Sequence, residues 1–172
     1  FFQSNILVKI SIIFYLYILG FQRILFLVHR GQIAKQAKNS FKKVFAGTRS
    51  MGLVTGNYQN YDSDVIFATI QTFSKEDVLS KYSRTAFDAI VIDEAHHSAA
   101  NSYKKVMDYF TPRLWLGMTA TPDKRDDNME GRNIYEIFNT WQQWYGRKYN
   151  CCLFERNWTR SIRICKGEIF IF

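Results

Sequence analysis

A continuous apolar run that ends in two adjacent acids constrains the fold of this chain more than any other feature. Ile90, Val91 and Ile92 lead directly into Asp93 and Glu94. A strand that is apolar along its whole length is typical of a parallel sheet covered by helices on both faces. Ligands bind at the carboxyl edge of such sheets. The run therefore predicts an α/β fold that places two carboxylates at a functional edge.

Other apolar runs alternate with amphipathic segments in the central part of the chain. Strands are predicted at residues 24–28, 51–54, 65–69 and 114–118. Three helices are predicted between them, the second beginning at Ser74 with Asp77 three residues later, and the third ending at Pro112. Their predicted buried positions are Ile33, Ala37, Phe41 and Val44, then Val78, Leu79 and Tyr82, then Tyr103, Val106, Met107 and Phe110. This alternation indicates a doubly wound parallel sheet.

The two ends of the chain differ from this central part. Residues 1–21 form an apolar leader, but its apolar run of twelve residues is shorter than the about 20 that a spanning helix needs. Membrane association is therefore not favoured. The alternatives for this segment are a buried helix or strand, or a leader outside the domain. Residues 140–172 form a basic aromatic tail with Trp141, Trp144 and Trp158, whose structure the pattern does not predict.

Composition limits the class of protein and of partner. The length of 172 residues suits one ordinary domain. A formal net charge of +8 favours a polyanionic partner, with nucleic acid first and an anionic membrane second. The cysteines Cys151, Cys152 and Cys165 have no C-x-x-C spacing and predict neither a zinc site nor a disulfide framework. A reducing cytoplasm is the simplest location.

A second motif follows the last predicted strand. The tetrad Asp93-Glu94-Ala95-His96 is followed, about twenty residues on, by Thr119-Ala120-Thr121-Pro122. The pair, in this order, resembles motifs II and III of the superfamily 2 helicases, the DEAD/DEAH-box class of nucleic-acid-dependent ATPases. The resemblance implies a RecA-like parallel sheet flanked by helices, here an incomplete P-loop NTPase motor domain over residues 22–139. It also implies ATP and Mg²⁺ as cofactors and nucleic acid as the partner.

Phosphoryl transfer needs one carboxylate for Mg²⁺ and a second that orients or deprotonates the attacking water. By the resemblance, Asp93 is the metal-associated acid, Glu94 is the catalytic base, and His96 links the nucleotide site to motif III. Thr119, Ala120 and Thr121 are the coupling residues that transmit the nucleotide state. The alternative for the acids is a solvated strand-end pair that caps a helix.

Two further segments match the same family. Leu27-Val28-His29-Arg30 resembles motif Ia, and Ala68-Thr69-Ile70-Gln71-Thr72 resembles motif Ic. His29, Arg30, Thr69 and Gln71 are thus candidate contacts to successive phosphates, which position a strand without reading its bases. Residues 126–138 resemble bacterial restriction-enzyme motor subunits and excision-repair helicase-like proteins, which favours DNA over RNA. The lysines at 35, 38, 42 and 43 are interpreted as a solvated helix face.

One expected motif is missing. The family's phosphate loop, G-x-x-x-x-G-K-[ST], should fall near residues 1–10, which contain no glycine. Lys9-Ile10-Ser11 is not a substitute, because the amide cradle needs glycine geometry, and the second motor domain is absent as well. The sequence therefore predicts a fragment of an ATP-dependent DNA helicase or translocase, from a truncated or frame-shifted gene copy, that is inactive alone. The alternatives are a catalytically degenerate nucleic-acid-binding or interaction module and a small membrane-associated protein.

Overall fold

The computed structural model describes residues 2–94, 101–119 and 150–155, with side chains at 9–94 and 101–118. Its seven described strands form one sheet in the order β3-β2-β4-β1-β5-β6-β7. Six of them run parallel, and only β3 pairs antiparallel, with β2. The strands are β1 (Ile24–Val28), β2 (Met51–Thr55), β3 (Tyr58–Gln59), β4 (Val65–Thr69), β5 (Ala89–Asp93), β6 (Leu114–Thr119) and β7 (Asn150–Glu155). The predicted parallel α/β sheet is confirmed.

Helices cover both faces of this sheet. They are α1 (Phe2–Ile18), α2 (Gly31–Phe45), α3 (Ile70–Phe73), α4 (Glu76–Leu79) and α5 (Asn101–Tyr109). Buried side chains of α1 and α2 share one core cluster, and those of α3, α4 and α5 share the other. The central strands β1, β4 and β5 therefore need apolar side chains on both of their faces, which explains why these runs are almost wholly apolar.

Strand β5 shows how alternation assigns its residues to the two clusters. Ile90 and Ile92 pack in the cluster of α3, α4 and α5, whereas Ala89 and Val91 pack in the cluster of α1 and α2. Because successive side chains of a strand point to opposite faces, Asp93 has the parity of Ala89 and Val91. The sheet thus directs the Asp93 carboxylate toward the face that α1 and α2 cover.

Three aromatic rings join α2 to the sheet. Phe41 of α2 lies 6.1 Å from Phe26 and 5.1 Å from Phe67 between ring centroids, and all three are fully buried. Burying one such side chain stabilises the fold by about 1.5–3 kcal/mol. Replacing Phe41 with alanine would cost about 3–5 kcal/mol, since a cavity would also remain. This packing fixes α2 above β1 and β4, and therefore fixes the position of its amino terminus.

Two details of the predicted helices are wrong. In α2 the buried side chains are Ala34, Ala37, Phe41 and Phe45, while Val44 is 50% exposed. The helix is rotated so that the larger Phe45 ring enters the core in place of Val44. The second helix begins at Glu76 and not at Ser74, whose amide bonds to Ile70 and closes α3.

The third predicted helix face is confirmed, since Tyr103, Val106, Met107 and Phe110 are all buried. In the amino-terminal segment, α1 places Ile10, Ile13 and Leu16 in the core beside β1. No helix in the described ranges is long and apolar enough to cross a membrane. Strand β7, within the tail, pairs with β6 in a register that the sequence pattern did not predict.

Gly52 permits the close approach of the chain segment that follows β3. A Cβ atom at this position would lie 2.5 Å from the carbonyl oxygen of Asn60, and the Ser63 side chain is also near. Only glycine fits such a contact without a backbone shift. The contact holds the β2–β3 hairpin against the chain that leads into β4.

Candidate functional site

The register of the strands places the candidate residues at one edge of the sheet. Val28 is level with Thr69, and Leu27 is level with Ile92, so Asp93 is level with Val28. Neighbouring strands lie about 4.8 Å apart. The ends of β4, β1 and β5 therefore bring the motif Ia, motif Ic and motif II segments together within about 10 Å. This edge is called the carboxyl edge below.

Asp93 is buried at this edge and forms an ion pair with a residue of α1. Its side chain and that of Lys9 are 3% and 9% exposed, and the Lys9 Nζ donates to Asp93 Oδ2 at 2.5 Å. The two residues are 84 positions apart in the chain. A charge at such depth is costly unless it is paired, so the pair explains how α1 accommodates a lysine among apolar side chains.

Glu94 follows Asp93 in an unusual backbone conformation. Its φ of 55° lies in the left-handed region, and its side chain is half-buried. A non-glycine residue in this region is uncommon, and such strain clusters at functional sites. The turn at Glu94 ends β5. The direction of the Glu94 side chain therefore no longer follows the alternation of side chains along the strand.

His29, Arg30 and Gln71 are exposed at the ends of β1 and β4. The Nδ1 of His29 lies 3.4 Å from the Nε2 of Gln71, which joins the motif Ia and motif Ic segments. Arg30 is the N-cap residue of α2, but its side chain makes no capping hydrogen bond. The Arg30 guanidinium, the Gln71 amide and the His29 imidazole are thus exposed to solvent near the beginning of α2.

Thr69 plays a different part from these exposed side chains. It is 7% exposed, and its hydroxyl donates to the Thr72 hydroxyl at 3.0 Å. A Cβ atom at Gly31 would be in ordinary contact with Thr69 and Thr55, at 3.8 and 3.9 Å. The amino terminus of α2 therefore lies directly over the ends of β4 and β2, and Thr69 supports the turn that carries Gln71.

Tyr103 of α5 was predicted only as a core residue, but it also belongs to the surroundings of the acids. It is 1% exposed, and its hydroxyl has no hydrogen-bond partner among the described residues. Burial raises the pKa of the Tyr103 phenol, and the negative charges of Asp93 and Glu94 raise it further. The phenol therefore stays protonated at neutral pH.

The remaining predicted site residues lie at or beyond the limit of the described chain. His96, Ala120 and Thr121 are outside the described residues. Thr119 ends β6, and because Met118 is level with Asp93, its backbone is level with Glu94 one strand away. In the described ranges no group of three or more histidine, cysteine, aspartate or glutamate residues could hold a metal ion.

Sequence reasoning missed Lys9 as a site residue. Two signals pointed to it: the single charged residue of a mainly apolar helix, and the parity of Asp93 with Ala89 and Val91. Neither signal identifies which helix covers that face of β5. The contact follows from the packing of α1 beside β1, which the sequence pattern does not give.

Comparison with known proteins agrees with this geometry. The family described as "Type III restriction enzyme, res subunit" matches residues 7–124. A Saccharomyces cerevisiae protein whose name describes an ATP-dependent helicase, IRC3, is 39% identical over 110 residues, which cover 59% of this chain and 16% of that protein. The type I restriction enzyme EcoAI endonuclease subunit of Escherichia coli is 33% identical over 108 residues, covering 59% and 13%.

A solved structure supports the same fold. The helicase domain of Pyrococcus furiosus Hef superposes with a TM-score of 0.60 at 20% identity, over 88% of this chain and 32% of that one. The chain spans less than a fifth of the length of the IRC3 and EcoAI relatives. The family match covers well over half of the residues and includes the motif Ia, Ic and II segments. The chain therefore belongs to the family of the type III restriction enzyme res subunit, among the superfamily 2 helicases, and is a fragment of such a helicase-type protein.

Proposed function

We propose that this chain is the nucleic-acid-contacting part of the first motor domain of an ATP-dependent DNA helicase or translocase. One observation carries the proposal: the strand ends bring exposed His29, Arg30 and Gln71 together beside the strand that carries Asp93. In the intact protein this edge would face a second motor domain. The nucleic acid bound at the edge would be DNA rather than RNA. A cytoplasmic location fits that role.

The chemistry of the exposed group suits a phosphate backbone. The Arg30 guanidinium supplies a fixed positive charge with a planar set of donors, and the Gln71 amide supplies a neutral donor. The amides of Ile33 and Ala34 bond to the Arg30 carbonyl, while those of Gly31 and Gln32 stand at the open end of the helix. Such an end attracts anions through its unpaired amides and its dipole. These contacts hold a nucleic-acid strand without reading its base sequence.

A binding experiment with matched variants tests this proposal. A fluorescent single-stranded oligonucleotide would be titrated with the chain at several salt concentrations, using Arg30→Ala and, as control, Lys43→Ala at the other end of α2. Arg30→Ala should weaken binding and reduce the slope of log K against log salt by about 0.7, the value for one phosphate contact on single strands. Lys43→Ala should leave both unchanged. Equal effects of the two variants would contradict the proposed site.

Nucleotide binding is a separate part of the proposal. The first ten residues contain no glycine, and Lys9 lies inside α1, so this segment does not fit the amide cradle that holds a triphosphate. We therefore propose that the chain alone has no ATP turnover. Phosphate release that is stimulated by DNA and abolished in Glu94→Gln would overturn this part and leave the DNA-binding proposal intact.

The contact between Lys9 and Asp93 favours a second candidate function, a module that binds nucleic acid without hydrolysis. An acid already paired with a lysine lacks the open ligand position that metal-assisted hydrolysis requires. The two candidates differ in their response to nucleotide. When this is measured on the intact protein, oligonucleotide affinity that is the same with and without ATP favours the binding module, whereas an ATP-dependent change favours the motor.

A further inference from the structure

Lys9 occupies the place at Asp93 where the family's Mg²⁺ is expected. Mg²⁺ takes about six oxygen ligands at about 2.1 Å and is usually held by one or two carboxylates together with water and phosphate oxygens. Here Oδ2 of Asp93 already accepts from the Lys9 ammonium at 2.5 Å. A divalent ion at that oxygen would meet a positive charge and would have to displace it. The residues around Asp93 therefore do not fit the metal.

The packing of α1 keeps Lys9 in this position. Ile10, Ile13 and Leu16 lie in the same core cluster as Phe26 and Val91, so the part of α1 that follows Lys9 is held against the sheet. The Lys9 side chain is 9% exposed, which leaves little room for the ammonium to swing into solvent. Withdrawing it would require unpacking the helix or burying two unpaired charges.

We infer that the Lys9 ammonium is the resident cation of the Asp93 carboxylate, and that the end of β5 holds no divalent metal while this ion pair is formed. The pair satisfies the buried carboxylate in the way a metal does in related sites. The inference rests on the contact between α1 and β5 and on the family expectation for Asp93. It does not depend on DNA binding at Arg30.

Thermal unfolding of four proteins tests the inference: the unaltered chain, Lys9→Met, Asp93→Asn, and the double variant. Each would be measured in a chelator and in millimolar Mg²⁺. The unaltered chain should show the same Tm in both. Lys9→Met should lower Tm by about 10 °C in the chelator, because it leaves a buried carboxylate unpaired. Mg²⁺ should restore part of this loss in Lys9→Met and none in the double variant.

Two results would overturn the inference. One is a rise in the Tm of the unaltered chain with Mg²⁺ that is absent in Asp93→Asn. The other is a folded Lys9→Met protein whose Tm does not respond to Mg²⁺, because Lys9 would then not be what excludes the ion.

A second measurement covers the case in which Lys9→Met does not fold. Mn²⁺ binding to the unaltered chain and to Asp93→Asn can be followed by electron paramagnetic resonance. Equal amounts of bound Mn²⁺ support the inference, and binding that Asp93→Asn removes contradicts it. Arg30→Ala serves as a control, since it should change oligonucleotide affinity without changing either metal experiment. Failure of this inference is thereby distinguishable from failure of the proposed DNA site.

Discussion

The amino edge and the carboxyl edge of the sheet both carry charged side chains, but these side chains bond to different kinds of group. At the amino edge, Asp88 accepts from the backbone amides of Gln22 and Arg23 at 2.8 and 2.9 Å. Asp64 accepts from the Ser50 amide, and the Ser50 hydroxyl accepts from the Asp64 amide. These acids tie together the segments that lead into β1, β5, β2 and β4.

The cations of the amino edge are engaged with aromatic rings. The guanidinium of Arg49 lies 3.9 Å from the ring centroid of Tyr17, and that of Arg113 lies 4.7 Å from the centroid of Phe21. Stacking of this kind attaches α1 and the chain after it to the sheet. The charges of this edge therefore have structural partners within the fold.

At the carboxyl edge the hydrogen bonds described above join one side chain to another. His29 contacts Gln71, Thr69 contacts Thr72, and Lys9 contacts Asp93. Lys9, Asp93 and Thr69 are buried, whereas the other side chains of these pairs are exposed or half-buried. Arg30, at the same edge, is exposed, and its side chain does not cap α2. The difference indicates that charge at the amino edge stabilises the fold. At the carboxyl edge the buried pair of Lys9 and Asp93 does the same, whereas the exposed charge of Arg30 has no capping role, which supports its proposed contact with a ligand.

The largest predicted effect is on the one buried pair of the carboxyl edge. Lys9→Met should lower the free energy of unfolding by about 3–5 kcal/mol, because the Asp93 carboxylate would remain buried and unpaired. Combining it with Asp93→Leu should recover most of the loss, since apolar replacement of a buried pair is often neutral. Urea unfolding measures both. If the free energy of unfolding of Lys9→Met were within about 1 kcal/mol of that of the unaltered chain, the pair would be exposed in solution.

The next effect is expected at the amino edge. Asp88→Ala should destabilise the chain by about 2 kcal/mol, because two backbone amides lose a charged acceptor. Asp62 is the matched control: it is fully exposed and lies 3.6 Å from Arg23, so Asp62→Ala should have almost no effect on the urea midpoint. Oligonucleotide affinity should be unchanged by Asp88→Ala. Similar losses for both variants would remove the structural distinction between these acids.

Two buried tyrosines extend the comparison. Tyr82, near the amino edge, donates its hydroxyl to the Tyr61 carbonyl at 2.9 Å, whereas the Tyr103 hydroxyl has no partner among the described residues. Tyr82→Phe should cost about 1 kcal/mol, and Tyr103→Phe should be neutral or stabilising by a similar amount. The difference between the two variants in denaturant unfolding is the measurement. A loss on Tyr103→Phe would instead assign its hydroxyl a bonding partner in the folded protein.

The smallest effect concerns pH. Burial alone would raise the pKa of Asp64, but hydrogen bonding with Ser50 and the charges of Arg49 and Arg23 outweigh it and hold the pKa below 3.8. A lowered carboxyl pKa contributes stability above the unfolded-state value, and this stability is lost as the pH falls through the folded value. Asp64→Asn should therefore have a slightly lower Tm at neutral pH, with a difference that shrinks in acid. A difference that grows in acid would contradict the assignment.

Much of the fold could be predicted because the strands are buried on both faces and the helices on one. The runs that became β1, β4, β5 and β6 are apolar throughout, and the stripe from Tyr103 to Phe110 has a helical period. The rotation of α2 was not predictable. Val44 and Phe45 are both apolar, and only the packing of α2 against the sheet determines which of the two is buried. The pairing of β7 was not predictable either, since its segment has no clear alternation.

The site was predictable to the extent that strand ends determine it. Parallel register brings His29, Gln71 and Asp93 to one edge once their strands are identified. The contact between Lys9 and Asp93 needs the position of α1 in three dimensions, and a lone lysine in an apolar run gives no indication of its partner. The positive φ of Glu94 likewise follows from how β5 ends, not from the residue type.

Hydrogen exchange of backbone amides, with and without a single-stranded oligonucleotide, tests most directly whether the carboxyl edge is the functional edge. Bound DNA should slow exchange at residues 29–33 and 70–73, at the ends of β1 and β4. Exchange at residues 22–23, 49–50 and 113, on the amino edge, should not change. Slowed exchange confined to the amino edge, with none at residues 29–33 and 70–73, would contradict the account.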